Sequence, residues 1–214
     1  MLLDCGFGSF ETFRTLVPNG RLDAVILSHA HPDHAADLAA FMATTSLWRT
    51  EPRLLASRDT IDGVTFDATA LGSSIYVNDG THIIGNGFEA EFSLTTHQMP
   101  TLGVQITMGG SRMVYSADTG PNWIYPETFR FPDVAVVECT LEERGVSSSS
   151  FHLDAREFAD LVNDMAPSTA LLTHVPPSER GERRCALVEQ LVPTTRVLLA
   201  SVGMTIEMGR ERPL

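Results

Sequence analysis

The chain has 214 residues, enough for one compact domain with a substantial core and too few for two of full size. With 43% apolar and 20% charged residues it is neither a disordered chain nor a membrane protein; no stretch approaches the roughly 18 continuous apolar residues of a span, and the start lacks a secretory pattern, so a cytoplasmic protein without membrane contact is expected. The formal net charge is -12 and all 15 basic residues are arginine, so a long polyanion such as nucleic acid would bind against the average field of the protein.

Short apolar runs in chain order read as buried strands that stop abruptly in polar residues. The first is Ala24-Val25-Ile26-Leu27. A helix is expected from Asp33 to Trp48, where apolar residues recur at helical spacing behind Pro32. Between Gly80 and Ala117 the pattern becomes strand, turn, strand, punctuated by Gly85-Asn86-Gly87 and Gly109-Gly110, which predicts hairpins or a meander. Val134 to Val137 predicts another strand, Ser147 to Ser150 a loop, Asp154 to Met165 a helix, Ala170 to Leu172 a strand, and Ser178 to Leu191 a helix after Pro176-Pro177. Helices near both ends of a β-rich middle imply a mixed α/β fold, with sheet in the core and helices outside. One domain over residues 1–214 is expected. Cys5, Cys139 and Cys185 form no close pair and read as buried free thiols.

The chemistry concentrates in Ser28-His29-Ala30-His31-Pro32-Asp33-His34, which puts three imidazoles and a carboxylate at a turn from strand to helix. His29 and His31, two apart in an extended segment, can face the same side and grip one metal. Asp33 and His34, at the helix start, can face a second; imidazole and carboxylate suit zinc, with manganese or iron as alternatives. One motif cannot complete two coordination shells. Further ligands are expected at other strand ends, and His97 follows Phe92-Ser93-Leu94-Thr95-Thr96, Asp118 follows Met113-Val114-Tyr115-Ser116-Ala117 and His174 follows Leu171-Leu172-Thr173. His82, inside Thr81-His82-Ile83-Ile84, is expected to hold a strand position with no catalytic role.

This ordered set resembles the metallo-β-lactamase superfamily, whose pattern is an early Asp, HxHxDH, a His, an Asp and a final His, and the resemblance covers nearly the whole chain. It implies a four-layer αββα sandwich and two divalent metal ions. Asp4 matches the early Asp that supports the site from behind. By the same resemblance His29, His31 and His97 hold the first metal, and Asp33, His34 and His174 the second. Asp118 bridges the two, and Asp33 counts among the catalytic residues as well as the ligands. Two metals about 3.5–4 Å apart can share a hydroxide that attacks the substrate, which dispenses with a serine or cysteine nucleophile.

Two further stretches are similar to the phosphodiesterase branch that contains ribonuclease Z. One is Thr96-His97-Gln98-Met99-Pro100-Thr101-Leu102-Gly103. The other is Glu138-Cys139-Thr140 followed by His152 near a helix start, where the branch implies that His152 protonates a leaving alkoxide and Glu138 orients it. Ribonuclease Z grips precursor tRNA with a long inserted arm, but only about twenty residues separate His97 from Asp118. A small phosphodiester is therefore the expected substrate, most concretely a 3′,5′-cyclic nucleotide such as cyclic AMP. An acyl hydrolase on the same metals, a lactonase or thioesterase, is the enzymatic alternative, and a non-catalytic metal-binding protein the other. Family members often dimerise, so a homodimer is compatible. They also carry about two strands before the early Asp, which here is the fourth residue, so the sandwich is expected to lack its first N-terminal strands.

Overall fold

The computed structural model describes residues 1–17, 22–44, 52–64, 74–85, 87–142, 151–176 and 181–208. The chain divides into two compact units, Met1–Asp79 and Gly80–Leu214. Each has its own sheet and its own apolar core. The class is the mixed α/β expected, with two sheets and few helices. No helix among the described residues is long and apolar enough to cross a membrane.

In the first unit, β1 (Leu2–Leu3), β2 (Ala24–Ile26), β3 (Arg53–Ala56) and β4 (Ser74–Tyr76) form a parallel sheet in that order. The central strands are continuous apolar runs because both faces of a parallel sheet are covered. Helix α1 (Ser9–Leu16) sends Phe10 and Phe13 edge-on against Phe41 of α3 (Leu38–Ala43), at ring-centroid distances of 5.2 and 5.6 Å. Helix α4 (Arg58–Gly63) starts at Ser57, whose hydroxyl accepts from the Thr60 N–H.

The single helix expected from Asp33 to Trp48 is instead two short ones, α2 (Pro32–Ala35) and α3. The cause is a long-range bond. The Asp37 N–H donates to the Cys5 carbonyl at 2.8 Å and the Asp37 carboxylate accepts from the Phe10 N–H at 3.0 Å, so the chain turns there instead of continuing the helix. Residues 45–50 lie outside the described set, as do the serine run 147–150 and residues 178–180 of the last expected helix.

The second unit holds a seven-stranded sheet whose strands are neighbours in chain order: β5 (His82–Gly85), β6 (Phe88–Leu94), β7 (Leu102–Met108), β8 (Ser111–Tyr115), β9 (Val134–Glu138), β10 (Thr169–Thr173) and β11 (Arg196–Leu199). β5 to β8 are the antiparallel meander read from the glycine punctuation; β8 to β11 run parallel. Helices α5 (Ala155–Met165) and α6 (Gly181–Leu191) lie in this half of the chain.

Asp154 is the N-cap of α5: its carboxylate accepts from the Arg156 and Glu157 N–H groups, and Glu157 returns a bond to the Asp154 N–H. Ala155, Phe158, Ala159, Val162 and Met165 form its buried stripe. The helix ends at Ala166, which is held left-handed at φ 52°. A side chain with Cβ pays about 1–2 kcal/mol there, partly offset by glycine's greater loss of freedom on folding. Ala166→Gly is expected to stabilise the protein by about 0.5–1 kcal/mol, read as a higher urea midpoint at unchanged slope.

Candidate metal centre

In the first unit a strand end and a loop converge on Asp4. Asp4 follows β1 at φ 54°, and its N–H donates to the Ile26 carbonyl at 2.9 Å. The Ser28 N–H donates to Oδ1 at 2.7 Å, while the Ser28 hydroxyl and His34 Nδ1 meet Oδ2 at 2.8 and 2.7 Å. Asp4 thus holds His34 from the rear. His34 Nε2 faces the Asp33 carboxylate at 3.5 Å.

His29, fully buried, has Nδ1 against the Ser28 hydroxyl at 2.9 Å and Nε2 at 2.9 Å from His31 Nδ1. Two imidazole nitrogens converging in this way is what a shared cation needs. This cluster is held tightly by backbone. Cys5 N–H bonds the His34 carbonyl at 2.6 Å, and a Cβ on Gly6 would lie 1.7 Å from the Asp33 carbonyl oxygen. Only a residue without a side chain lets the loop after β1 approach α2 this closely.

In the second unit, His97 stands three residues beyond β6, Asp118 three beyond β8, Glu138 ends β9 and His174 follows β10. The Asp118 carboxylate is buried between two imidazoles: Oδ2 is 3.7 Å from His97 Nε2 and Oδ1 is 3.4 Å from His174 Nε2. One oxygen thus faces each ring. His97 Nδ1 is occupied at the back by the Phe151 carbonyl at 3.1 Å, and His174 Nδ1 by the Thr140 hydroxyl at 2.7 Å.

Beside these lies the pair formed by Glu138 and His152. His152 Nδ1 meets Glu138 Oε1 at 2.9 Å, and the His152 ring stacks on His174 at 5.5 Å between centroids. Ligand atoms of Asp118, His152 and His174 lie within 4.8 Å of one another. Glu138 is buried; its oxygens also take the Thr119 and Thr140 N–H groups at 3.0 Å each.

Oxygen and imidazole donors with their rear atoms already bonded are chemistry that a divalent cation fits in both units. Sequence reasoning gave no role to Thr140, Ser28 or Arg184. Arg184, buried on α6, donates through Nη1 to the Cys139 and Thr140 carbonyls and so clamps the turn after β9. One arginine of the Arg183-Arg184 pair in a helix gives no local sign of this. Ser28 could have been marked as the polar residue between a buried strand and the first histidine. His82 stays apart, half-exposed on β5 and 3.6 Å from Glu89. All three cysteines are free and buried, and desolvation pushes the Cys139 thiol up to about 12.

Residues 1–175 match the Beta-lactamase superfamily domain. The chain is 26% identical over 185 residues to the probable metallo-hydrolase YhfI of Bacillus subtilis (strain 168), covering 82% of this chain and 75% of that protein. The crystal structure of YhfI superposes with a TM-score of 0.77 at 23% identity, over 94% of this chain and 84% of that one. A diphosphatase from the PhnP family (TM-score 0.72, 14% identity, 97% and 79% covered) and the short form of human tRNase Z (0.72, 16%, 97% and 87%) share the fold.

Gly6→Ala tests the closeness of the approach between Gly6 and Asp33. Overpacking against the Asp33 backbone is expected to cost about 1–3 kcal/mol and to lower the metal bound per chain, checked by urea unfolding and by elemental analysis of the same sample.

Proposed function

The chain belongs to the Beta-lactamase superfamily as a metal-dependent hydrolase, and we propose that its substrate is a small phosphodiester, most concretely a 3′,5′-cyclic nucleotide such as cyclic AMP. In this reading His29, His31 and His97 hold one divalent ion, Asp33, His34 and His174 hold another, and Asp118 serves both, zinc being the ion that the donor set suits best. Such ions, when bound, lower the pKa of a coordinated water and polarise a substrate oxygen.

The observation that carries the substrate class is the Glu138–His152 pair. A ribose alkoxide is a poor leaving group near neutral pH, so its departure needs a positioned proton donor, typically worth about 10²–10⁴-fold. In this reading His152, held at Nδ1 by a buried carboxylate and standing beside Asp118 and His174, gives that proton from Nε2. Glu138 orients the ring. A thiolate leaving group makes less demand on such a donor, which favours the diester over a thioester. The net charge of -12 favours a small substrate over a long nucleic acid, and the fold is shared with a structure described as a diphosphatase.

The test is metal analysis of the purified protein, followed by side-by-side assays with cyclic AMP, bis(p-nitrophenyl) phosphate, a lactone and a thioester. Diester turnover that is lost on chelation and restored by zinc or manganese is expected; turnover of the acyl substrates alone overturns the reading. Metal binding with no turnover on any of them favours a non-catalytic metal-binding protein. His152→Ala is expected to lower kcat on cyclic AMP by about 10²-fold or more. It should lower kcat much less on bis(p-nitrophenyl) phosphate, whose leaving group departs unprotonated, and leave metal content unchanged.

A further inference from the structure

The Thr140 hydroxyl sits where three side chains of the site meet. Its Oγ1 is 2.7 Å from Glu138 Oε2, 2.7 Å from His174 Nδ1 and 3.2 Å from His152 Nδ1. A hydroxyl has one proton to give and two lone pairs with which to accept. Each Glu138 oxygen already takes a backbone N–H, from Thr119 and from Thr140, so the carboxylate is the acceptor in this cluster. The hydroxyl proton therefore goes to Glu138 Oε2, and the Thr140 oxygen can only accept from His174. That requires His174 to carry its proton on Nδ1, which leaves the lone pair on Nε2, the nitrogen 3.4 Å from Asp118 Oδ1.

The position of the hydroxyl is fixed by the backbone around it. The Cys139 N–H donates to the Thr173 carbonyl at 2.9 Å, one residue before His174. Arg184 Nη1 holds the Thr140 carbonyl at 2.9 Å, and the Leu141 N–H bonds the Leu153 carbonyl at 3.0 Å, beside His152.

We propose that Thr140 is a positioning residue that relays the Glu138 carboxylate to His174, setting the tautomer that offers Nε2 to a metal ion, while the other Glu138 oxygen orients His152. One buried carboxylate then governs both the metal-holding histidine and the proton-donating one. This rests on the reading of His174 as a ligand.

The experiment compares wild type with Thr140→Val, which keeps the shape without the hydroxyl, and Thr140→Ser, which restores it. Zinc affinity, measured by competition with a chromophoric chelator, is expected to fall about 10- to 100-fold in the valine variant and to return to within about threefold of wild type in the serine variant. Long-range proton–nitrogen NMR on histidine-labelled, metal-free protein should show His174 protonated at Nδ1 in wild type and in the serine variant, and a shift toward the Nε2 form in the valine variant. Wild-type zinc affinity in Thr140→Val, or an Nε2-protonated His174 in wild type, overturns the proposal. The wild-type spectrum decides even where the valine variant fails to fold. None of these readouts needs turnover, so an inactive protein defeats the phosphodiesterase reading without touching the tautomer result.

Discussion

An imidazole holds a metal ion or passes a proton through one particular nitrogen, and the bond made at its other nitrogen decides which. His29, His34, His97, His152 and His174 each have Nδ1 committed, in turn to the Ser28 hydroxyl, Asp4, the Phe151 carbonyl, Glu138 and the Thr140 hydroxyl. Nε2 is then the working nitrogen in all five. His31 is the exception, since its Nδ1 is the atom turned toward His29. In each unit a carboxylate that is not itself among the expected metal ligands backs one of these rings directly, Asp4 behind His34 in the first and Glu138 behind His152 in the second. Such bonding from behind fixes ring orientation and raises ligand basicity, which makes a histidine a better partner for a cation.

Presenting these groups strains the backbone locally. Asp4, Ala117 and His174 all have positive φ, at 54°, 51° and 59°, and each lies at or beside a site residue just past a strand. Conformations of this kind cost on the order of 1–3 kcal/mol each and persist only where the surroundings over-determine them. The surroundings here are the apolar strands themselves. β2, β9 and β10 are anchored in close-packed cores, so the strand ends have little freedom to relax. Placing the chemistry on the first residues beyond such strands couples a rigid scaffold to a chain that can still turn.

Much of this was readable where the determining forces are local. The run from His29 to His34 declares itself because its spacing and its strand-to-helix setting lie within a few residues, and the meander from Gly80 to Ala117 announces its turns with glycine. The helix expected to begin at Asp154 is α5, with that residue as its cap. What stayed hidden depends on contacts far apart in the chain. The break between α2 and α3 follows from Asp37 meeting Cys5 and Phe10, against a helical periodicity that runs straight through it. Thr140 stands in the Glu138-Cys139-Thr140 motif, yet its part depends on His174, 34 residues further on. Arg184 reads as one more polar helix residue until its guanidinium is seen against the turn after β9.

The way Glu138 divides its bonds also limits what could stand in its place. Each oxygen receives a backbone N–H, and beyond that one serves His152 while the other serves Thr140. The position therefore demands a group that looks the same from both ends. A glutamine has nearly the same shape but is two-faced, with an acceptor on one side and a donor on the other. Whichever way it flips, its amide hydrogens confront a backbone N–H, and one of the two histidines loses the partner that set its orientation. Symmetry, as much as charge, is what this carboxylate contributes.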